Sequence, residues 1–126
     1  MSVPRVVVRT SDHGPVTVVC PPWCQGHDGQ DGEARVDISH EGREQDLTVP
    51  TSRGPATILT TGLEQRPYTE QPPGHDVFVN VEANGQWYPA DPEGLEAMAS
   101  ALEEHAAALR ALATQLTALR QAGGSA

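Results

Sequence analysis

Two cysteines and two histidines in one short segment constrain the fold of this chain more than any other feature. They follow the spacing Cys-x3-Cys-x2-His-x12-His, at Cys20, Cys24, His27 and His40, and the sequence contains no further cysteine. Structural zinc sites use four thiolate and imidazole ligands in a tetrahedral arrangement. The spacing therefore predicts one structural Zn2+ site, around which residues 20–40 fold.

The cysteines also bear on the compartment. No stretch approaches the roughly 20 apolar residues of a membrane span, and no apolar leader segment follows Met1. We therefore expect a cytoplasmic protein without a membrane partner. Reducing conditions favour metal binding over a disulfide, although a disulfide or free thiols stay open as alternatives. His13 or His75 could also replace one of the four ligands.

The composition limits the core and the partners. Hydrophobic residues make up 37% of the 126 positions and aromatic residues only 4%, so a metal site or oligomerisation would help to stabilise a thin core. The net charge is −9, the basic residues are all arginine, and they are scattered. Because no basic stripe is available for a phosphate backbone, we predict no nucleic-acid binding.

Short β-branched runs predict an antiparallel sheet. Arg5–Arg9 and Val16–Cys20 flank the turn-forming residues 11–15 and should form a hairpin. Arg35–Ser39 alternates and should be a short strand that delivers His40, whereas residues 25–33 should be a mobile loop. Two further strands are expected at Gln45–Val49 and Ala56–Thr61, followed by an irregular crossing over residues 66–74.

A second hairpin has the clearest strand signal in the chain. Asn84-Gly85 supplies the two positive-φ residues of a type I′ turn between residues 77–83 and 86–89. A two-residue turn there pairs Val81 with Tyr88 and Glu82 with Trp87. One face then carries Val77, Val79, Val81 and Tyr88, and we expect that face to be core.

The C-terminal part should be one long helix. Asp91 is a good N-cap and Pro92 suits the first helical position, and the helix should run to about Gln121. Its apolar positions repeat in heptads, with His105 as the one polar member. We call this set the heptad seam: Leu95, Met98, Leu102, His105, Leu109, Leu112, Leu116 and Leu119. We expect a homodimer through Leu95–Leu119, with Leu95 to Leu102 packing on the sheet and the remainder pairing.

Several short motifs resemble those of a known family. They are Pro21-Pro22-Trp23-Cys24-x2-His27, Ile38-Ser39-His40-Glu41-Gly42 and Gly62-Leu63-x2-Arg66-Pro67, together with the Ala/Leu-rich helix. The chain is similar over about residues 14–120 to small actinobacterial domains, chiefly from Streptomyces, of unknown function. The resemblance implies no activity, and it implies that the four metal-ligating residues belong to one shared constellation.

The sequence as a whole predicts an α+β protein. A zinc-stapled antiparallel β domain would span residues 1–90, the dimerisation helix residues 91–122, and a disordered tail residues 123–126. We interpret it as a zinc-stabilised protein-interaction or regulatory module with an unidentified protein partner. Two alternatives stay open: a small zinc hydrolase with Glu41 near a zinc-bound water, and an acidic binder of a transcription factor or other DNA-binding protein.

Overall fold

The computed structural model describes residues 4–123, so most of the predicted tail, residues 124–126, lies outside the described part. The architecture is α+β, with antiparallel sheets and one long C-terminal helix, as predicted. The chain divides into two compact units, Met1–Ala90 and Asp91–Ala126. Seven strands lie in the described part of the first unit: β1 Arg5–Thr10, β2 Gly14–Val19, β3 His40–Glu41, β4 Gln45–Val49, β5 Ala56–Gln65, β6 Phe78–Ala83 and β7 Gln86–Ala90.

Strands β1 and β2 form the predicted first hairpin. They pair antiparallel from Arg5 opposite Val19 to Thr10 opposite Gly14. Every second residue of a strand points to the same face, and Val8 and Val18 on the inner face are almost completely buried. Ile38 joins them in a small core, against which Val16 and Tyr68 lie half-buried.

The second sheet is organised around β5, its longest strand. The C-terminal end of β5 pairs with β3, its N-terminal part pairs with β4, and its other edge pairs with β6, which in turn pairs with β7. The chain turns between β3 and β4 at Gly42, whose N–H donates to the Leu63 carbonyl at 2.8 Å. A Cβ atom at Gly42 would stand 3.1 Å from Leu63 Cβ, so this close approach favours glycine.

The predicted register of the second hairpin is confirmed. Val81 pairs with Tyr88 and Glu82 with Trp87, and Asn84 and Gly85 both have positive φ values, of 59° and 78°. The expectation of a uniformly buried face is wrong, however. Val81 is buried, but Val77 and Tyr88 are 47% and 53% exposed, because these two residues lie before β6 and in the outermost strand.

The predicted strand at Arg35–Ser39 is also wrong. Arg35–Asp37 forms a short 3-10 helix, and the next strand begins only at His40. The Arg35 N–H donates to the Asp12 carboxylate at 2.9 Å, and the Ile38 N–H donates to the Arg35 carbonyl at 3.2 Å. These local bonds satisfy the backbone without a neighbouring strand, so the alternating sequence does not require a sheet.

The second unit contains α1, Pro92–Gly123. The Gly94 N–H donates to the Asp91 carboxylate at 2.7 Å, which confirms the predicted N-cap. No side chain of the helix is buried, and five leucines of the heptad seam are 43–61% exposed: Leu102, Leu109, Leu112, Leu116 and Leu119. Within residues 4–123, no helix has both the length and the apolar character needed to cross a bilayer.

Candidate metal centre

The four residues identified from their spacing come together in the structure. Each of the four side chains offers one donor atom, and these four atoms lie within 4.8 Å of one another: they belong to Cys20, Cys24, His27 and His40. Cys20, His27 and His40 are buried, and Cys24 is half-buried. His13 and His75 are not members of this cluster in the described part of the chain. Both cysteines are free thiols, so the alternative of a disulfide between them is not realised.

Three segments carry the four side chains. Cys20 directly follows β2, where its N–H donates to the Pro4 carbonyl at 2.9 Å. Cys24 and His27 lie on the turn that follows, and His40 opens β3. The Gln25 N–H donates to the Glu41 carbonyl at 2.8 Å, which fixes this turn against β3. The cluster therefore lies where the first hairpin meets the second sheet.

The cysteine sulfurs converge on one imidazole nitrogen. Nε2 of His27 lies 3.3 Å from Cys20 Sγ and 3.6 Å from Cys24 Sγ. The Gly26 N–H donates to Cys24 Sγ at 3.4 Å, a contact that stabilises negative charge on that sulfur. The arrangement suits a thiolate pair that shares a cation with His27.

His40 is the fourth member of the cluster. Its ring lies edge-on to that of His27, with 5.1 Å between the ring centroids, and edge-on to that of Trp23 at 6.3 Å. Nδ1 of His40 is buried and has no hydrogen-bond partner within the described residues. A buried nitrogen without a partner costs free energy, and a metal ion coordinated by its lone pair would remove that cost.

Burial also sets the protonation of the cluster. It raises the pKa of the Cys20 thiol to about 11, with a further contribution from the neighbouring Cys24. Burial, and secondarily the charge of His27, lowers the pKa of His40. Both shifts favour the uncharged forms of Cys20 and His40, because a low-dielectric environment disfavours an isolated charge. Imidazole binds metals in this neutral form, whereas a coordinated thiol is deprotonated by the metal.

Gln30 is a functional residue that the sequence analysis missed. Its Oε1 lies 3.0 Å from His27 Nδ1 and accepts the Ser39 N–H at 3.2 Å, while its Nε2 donates to the Ser39 carbonyl at 2.9 Å. Because the Ser39 N–H can only donate, the atom facing it must be the amide oxygen. His27 Nδ1 must then carry a proton, which leaves the lone pair on Nε2, the nitrogen that faces both cysteines.

The loop around Gln30, which the sequence predicts to be mobile, makes several hydrogen bonds to the first hairpin. The Arg9 N–H donates to the Asp31 carboxylate at 3.0 Å, the Gly32 N–H donates to the Arg9 carbonyl at 2.7 Å, and the Ser11 N–H donates to the Glu33 carbonyl at 2.9 Å. These bonds hold the loop along β1 and keep Gln30 in place. No short-range sequence motif marks such contacts.

The Arg66 motif belongs to a separate polar cluster. Glu64 is buried in β5, and its carboxylate accepts hydrogen bonds from Arg66 Nε at 2.8 Å and Asn80 Nδ2 at 2.9 Å. The pairing neutralises the one buried carboxylate of the second sheet among the described residues. It explains the motif structurally and adds no ligand to the metal centre.

The geometry thus defines an α+β domain with a candidate metal centre of two cysteines and two histidines. A family model, described as Domain of unknown function (DUF6907), matches residues 5–118 of this chain. The chain belongs to that family. No curated protein and no solved structure matches the chain significantly.

Proposed function

We propose that this chain is a zinc-stabilised protein-interaction module that dimerises through α1. The observation that carries the proposal is the convergence of four donor atoms within 4.8 Å at Cys20, Cys24, His27 and His40. Two thiolates and two imidazoles are ligands typical of zinc, whereas magnesium and calcium take oxygen ligands.

The separations between the donor atoms support the choice of zinc. With Zn–S of about 2.3 Å and Zn–N of about 2.0 Å, a tetrahedral site places sulfur and nitrogen roughly 3.5 Å apart. His27 Nε2 lies 3.3 Å and 3.6 Å from the two sulfurs. His40 Nδ1, the buried nitrogen without a partner, supplies the fourth ligand. Gln30 supplies the outer-shell acceptor that metal-bound histidines usually have.

Four protein ligands favour a structural role over the hydrolase alternative. A catalytic zinc site keeps one position open for water, whereas a structural site is closed by protein. The hydrolase requires His40 to lie outside the cluster, but His40 is buried beside His27. Bound zinc would contribute folding free energy by joining the end of β2, the following turn and the start of β3. The free thiols suit a reducing compartment such as the cytoplasm.

The helix supports the interaction role. Five of its seam leucines are exposed in the single chain, and an exposed apolar stripe of this length is typical of a protein-binding surface. Leucine heptads pair most readily with a helix of the same pattern. We therefore infer that α1 binds a second copy of this chain. The resulting dimer would then bind a further, unidentified protein partner.

Metal content and ligand count test the zinc assignment. Protein purified without chelator should contain one zinc per chain by elemental mass spectrometry, and Co2+ substitution should give the absorption of a tetrahedral site with two thiolates. Cys24→Ser and His40→Ala should each lose most of the metal and melt at lower temperature, because metal binding and folding are linked.

The matched control is His75→Ala, which removes a histidine that is not in the cluster and should retain full metal content. Wild-type protein without metal, or equal loss in the His75 variant, would contradict the assignment. An open coordination position occupied by exchangeable water would instead favour the hydrolase.

A further inference from the structure

The two edges of α1 that flank the heptad seam differ in charge. With Leu95 at heptad position a, positions b and e form one edge, which we call the charged edge: Glu96, Ala99, Glu103, Ala106, Arg110, Ala113, Thr117 and Arg120. Positions c and g form the other, which we call the alanine edge: Gly94, Ala97, Ala101, Glu104, Ala108, Ala111, Gln115, Ala118 and Ala122. The charged edge is acidic in its first half and basic in its second.

Helix orientation decides which edges meet in a two-helix assembly. In a parallel pair, the edge carrying e faces the partner's edge carrying g, so the charged edge would face the alanine edge. In an antiparallel pair, a two-fold axis perpendicular to the helices brings each edge against its own copy. Only the antiparallel arrangement therefore places the acidic half of the charged edge beside the basic half of a second copy.

On this basis we propose that α1 pairs with α1 of a second copy in the antiparallel orientation. The proposal rests on the proposed dimer and adds its geometry. In this arrangement the whole seam pairs with the second copy. The sequence instead favours packing of Leu95 to Leu102 on the sheet and pairing of the remainder only. The opposed seam residues are Leu95 with Leu119, Met98 with Leu116, Leu102 with Leu112 and His105 with Leu109, each formed twice by symmetry.

The same register aligns the charges. Glu103 comes within about 1.5 Å of the height of the partner subunit's Arg110, and Glu96 within about 3 Å of the height of the partner's Arg120, at ~1.5 Å rise per residue. The e positions between them are alanines, so no bulky side chain separates the opposite charges. The alanine edges meet each other on the opposite side, where small side chains permit close approach of the two helices.

The parallel alternative has no such match. It would place Glu103 beside the partner's Glu104, a like-charge contact, and would leave both arginines of the charged edge facing uncharged residues of the alanine edge. It would also bring His105 against the partner's His105 in the same layer. The antiparallel pairing instead packs each His105 against a leucine, Leu109 of the partner subunit.

The helix macrodipole accounts for only part of this charge pattern. Acidic residues in the first turn and basic residues in the last turn stabilise any isolated helix, but the effect is confined to those turns. Glu103 and Arg110 lie in the helix interior. They are seven residues apart, and the positions three and four residues from each carry no charge. They therefore have no ion-pair partner within their own helix, and pairing between chains gives both of them one.

Charge exchange at these two positions tests the orientation in the full zinc-loaded protein. Arg110→Glu should weaken the dimer about tenfold in analytical ultracentrifugation at low salt, because two attractive contacts become repulsive. Glu103→Arg should weaken it similarly. The double variant Glu103→Arg/Arg110→Glu should return to within about twofold of wild type, because it restores opposite charges between chains.

Glu104→Arg is the matched control on the alanine edge. In the antiparallel pair it has no opposite charge to lose and should stay within about twofold of wild type. In a parallel pair it would create an attraction to the partner's Glu103 and tighten the dimer.

Disulfide cross-linking gives an independent readout. Ala108 lies close to the two-fold axis of the antiparallel pair, so Ala108→Cys should cross-link to its own copy. Leu119→Cys should not, because it faces Leu95 of the partner subunit. Peptide mapping of the zinc-loaded protein assigns each link to the helix and excludes the metal-site cysteines.

The outcomes separate the two proposals. A wild-type monomer at tens of micromolar would overturn the dimer and its orientation together. A dimer that cross-links through Leu119→Cys and tightens with Glu104→Arg would overturn the antiparallel pairing and leave the dimer standing. A dimer that responds to none of these changes uses a surface other than the seam, which also overturns the pairing.

Discussion

Gln30→Ala tests whether the metal centre depends on the residue that orients its histidine. The substitution removes three contacts at once: the acceptor for His27 Nδ1–H, the acceptor for the Ser39 N–H and the donor to the Ser39 carbonyl. No ligand is changed. Any loss of metal affinity must therefore arise from the orientation and tautomer of His27 and from the position of the segment that carries His40.

The structure sets the size of the expected effect. Removing the outer-shell partner of a metal-bound histidine typically weakens metal affinity 10–100-fold, or about 1.4–2.7 kcal/mol. The metal-free fold should also lose stability. Ser39 is only 7% exposed, so its backbone groups would be left without partners at a cost of about 1–3 kcal/mol each, less whatever water can recover. A total loss of about 2–4 kcal/mol is expected.

Zinc affinity is measured by competition with a chromophoric chelator, and metal-free stability by urea denaturation in the presence of EDTA. Gln25→Ala is the matched control, because Gln25 is an exposed residue of the same loop and keeps its backbone bond to Glu41. Gln30→Glu can still accept hydrogen bonds from His27 and Ser39 but cannot donate to the Ser39 carbonyl. Its zinc affinity and metal-free stability should therefore lie between those of Gln30→Ala and Gln25→Ala. If Gln30→Ala and Gln25→Ala bind zinc within about threefold of each other, Gln30 does not orient His27.

Two further predictions concern pH and the helix. The folded pKa of Cys20, about 11, lies above the reference value of 9.0, so the metal-free fold holds a proton that the unfolded chain releases. The stability of the metal-free protein should therefore fall as pH rises from 9 towards 11. This loss should be absent from zinc-loaded protein, because its thiols are already deprotonated. Equal urea midpoints for the EDTA-treated protein at pH 8.5 and 10.5 would contradict the raised pKa of Cys20. His105→Leu should lower the dissociation constant of the dimer by more than about tenfold, because it places an apolar side chain against Leu109 of the partner subunit. An unchanged dissociation constant would show that the heptad register is wrong.

The parts of the fold that could be predicted are those fixed by local chemistry. Asn84-Gly85 requires a tight turn with positive φ at both positions, and such a turn leaves only one register for the strands on either side. Asp91-Pro92 fixes the helix start in the same way. The four residues of the candidate metal centre could be identified because thiols and imidazoles at such short spacing are typical of metal ligands.

The parts that could not be predicted depend on contacts between distant segments. The alternation at Arg35–Ser39 fits a strand, but the bond from the Arg35 N–H to Asp12, in the turn of the first hairpin, favours a 3-10 helix. Gln30 is one of several polar residues in its loop, and only the position of Ser39 gives it a role. Exposure of Val77 likewise depends on where β6 begins, which the hydrophobic pattern alone does not show.

The position of the candidate metal centre relative to the small core indicates what a bound metal would do for the fold. Cys20 lies two residues after Val18 and His40 two residues after Ile38, and both Val18 and Ile38 are fully buried against Val8. A metal ion bound by Cys20 and His40 would therefore hold together the same two segments that build this core. So few buried side chains provide limited hydrophobic stabilisation. Loss of the metal should thus loosen the contact of Ile38 with the first hairpin, and amide exchange should increase first at residues 38–41, whereas β6 and β7, which contribute no ligand, should keep their protection.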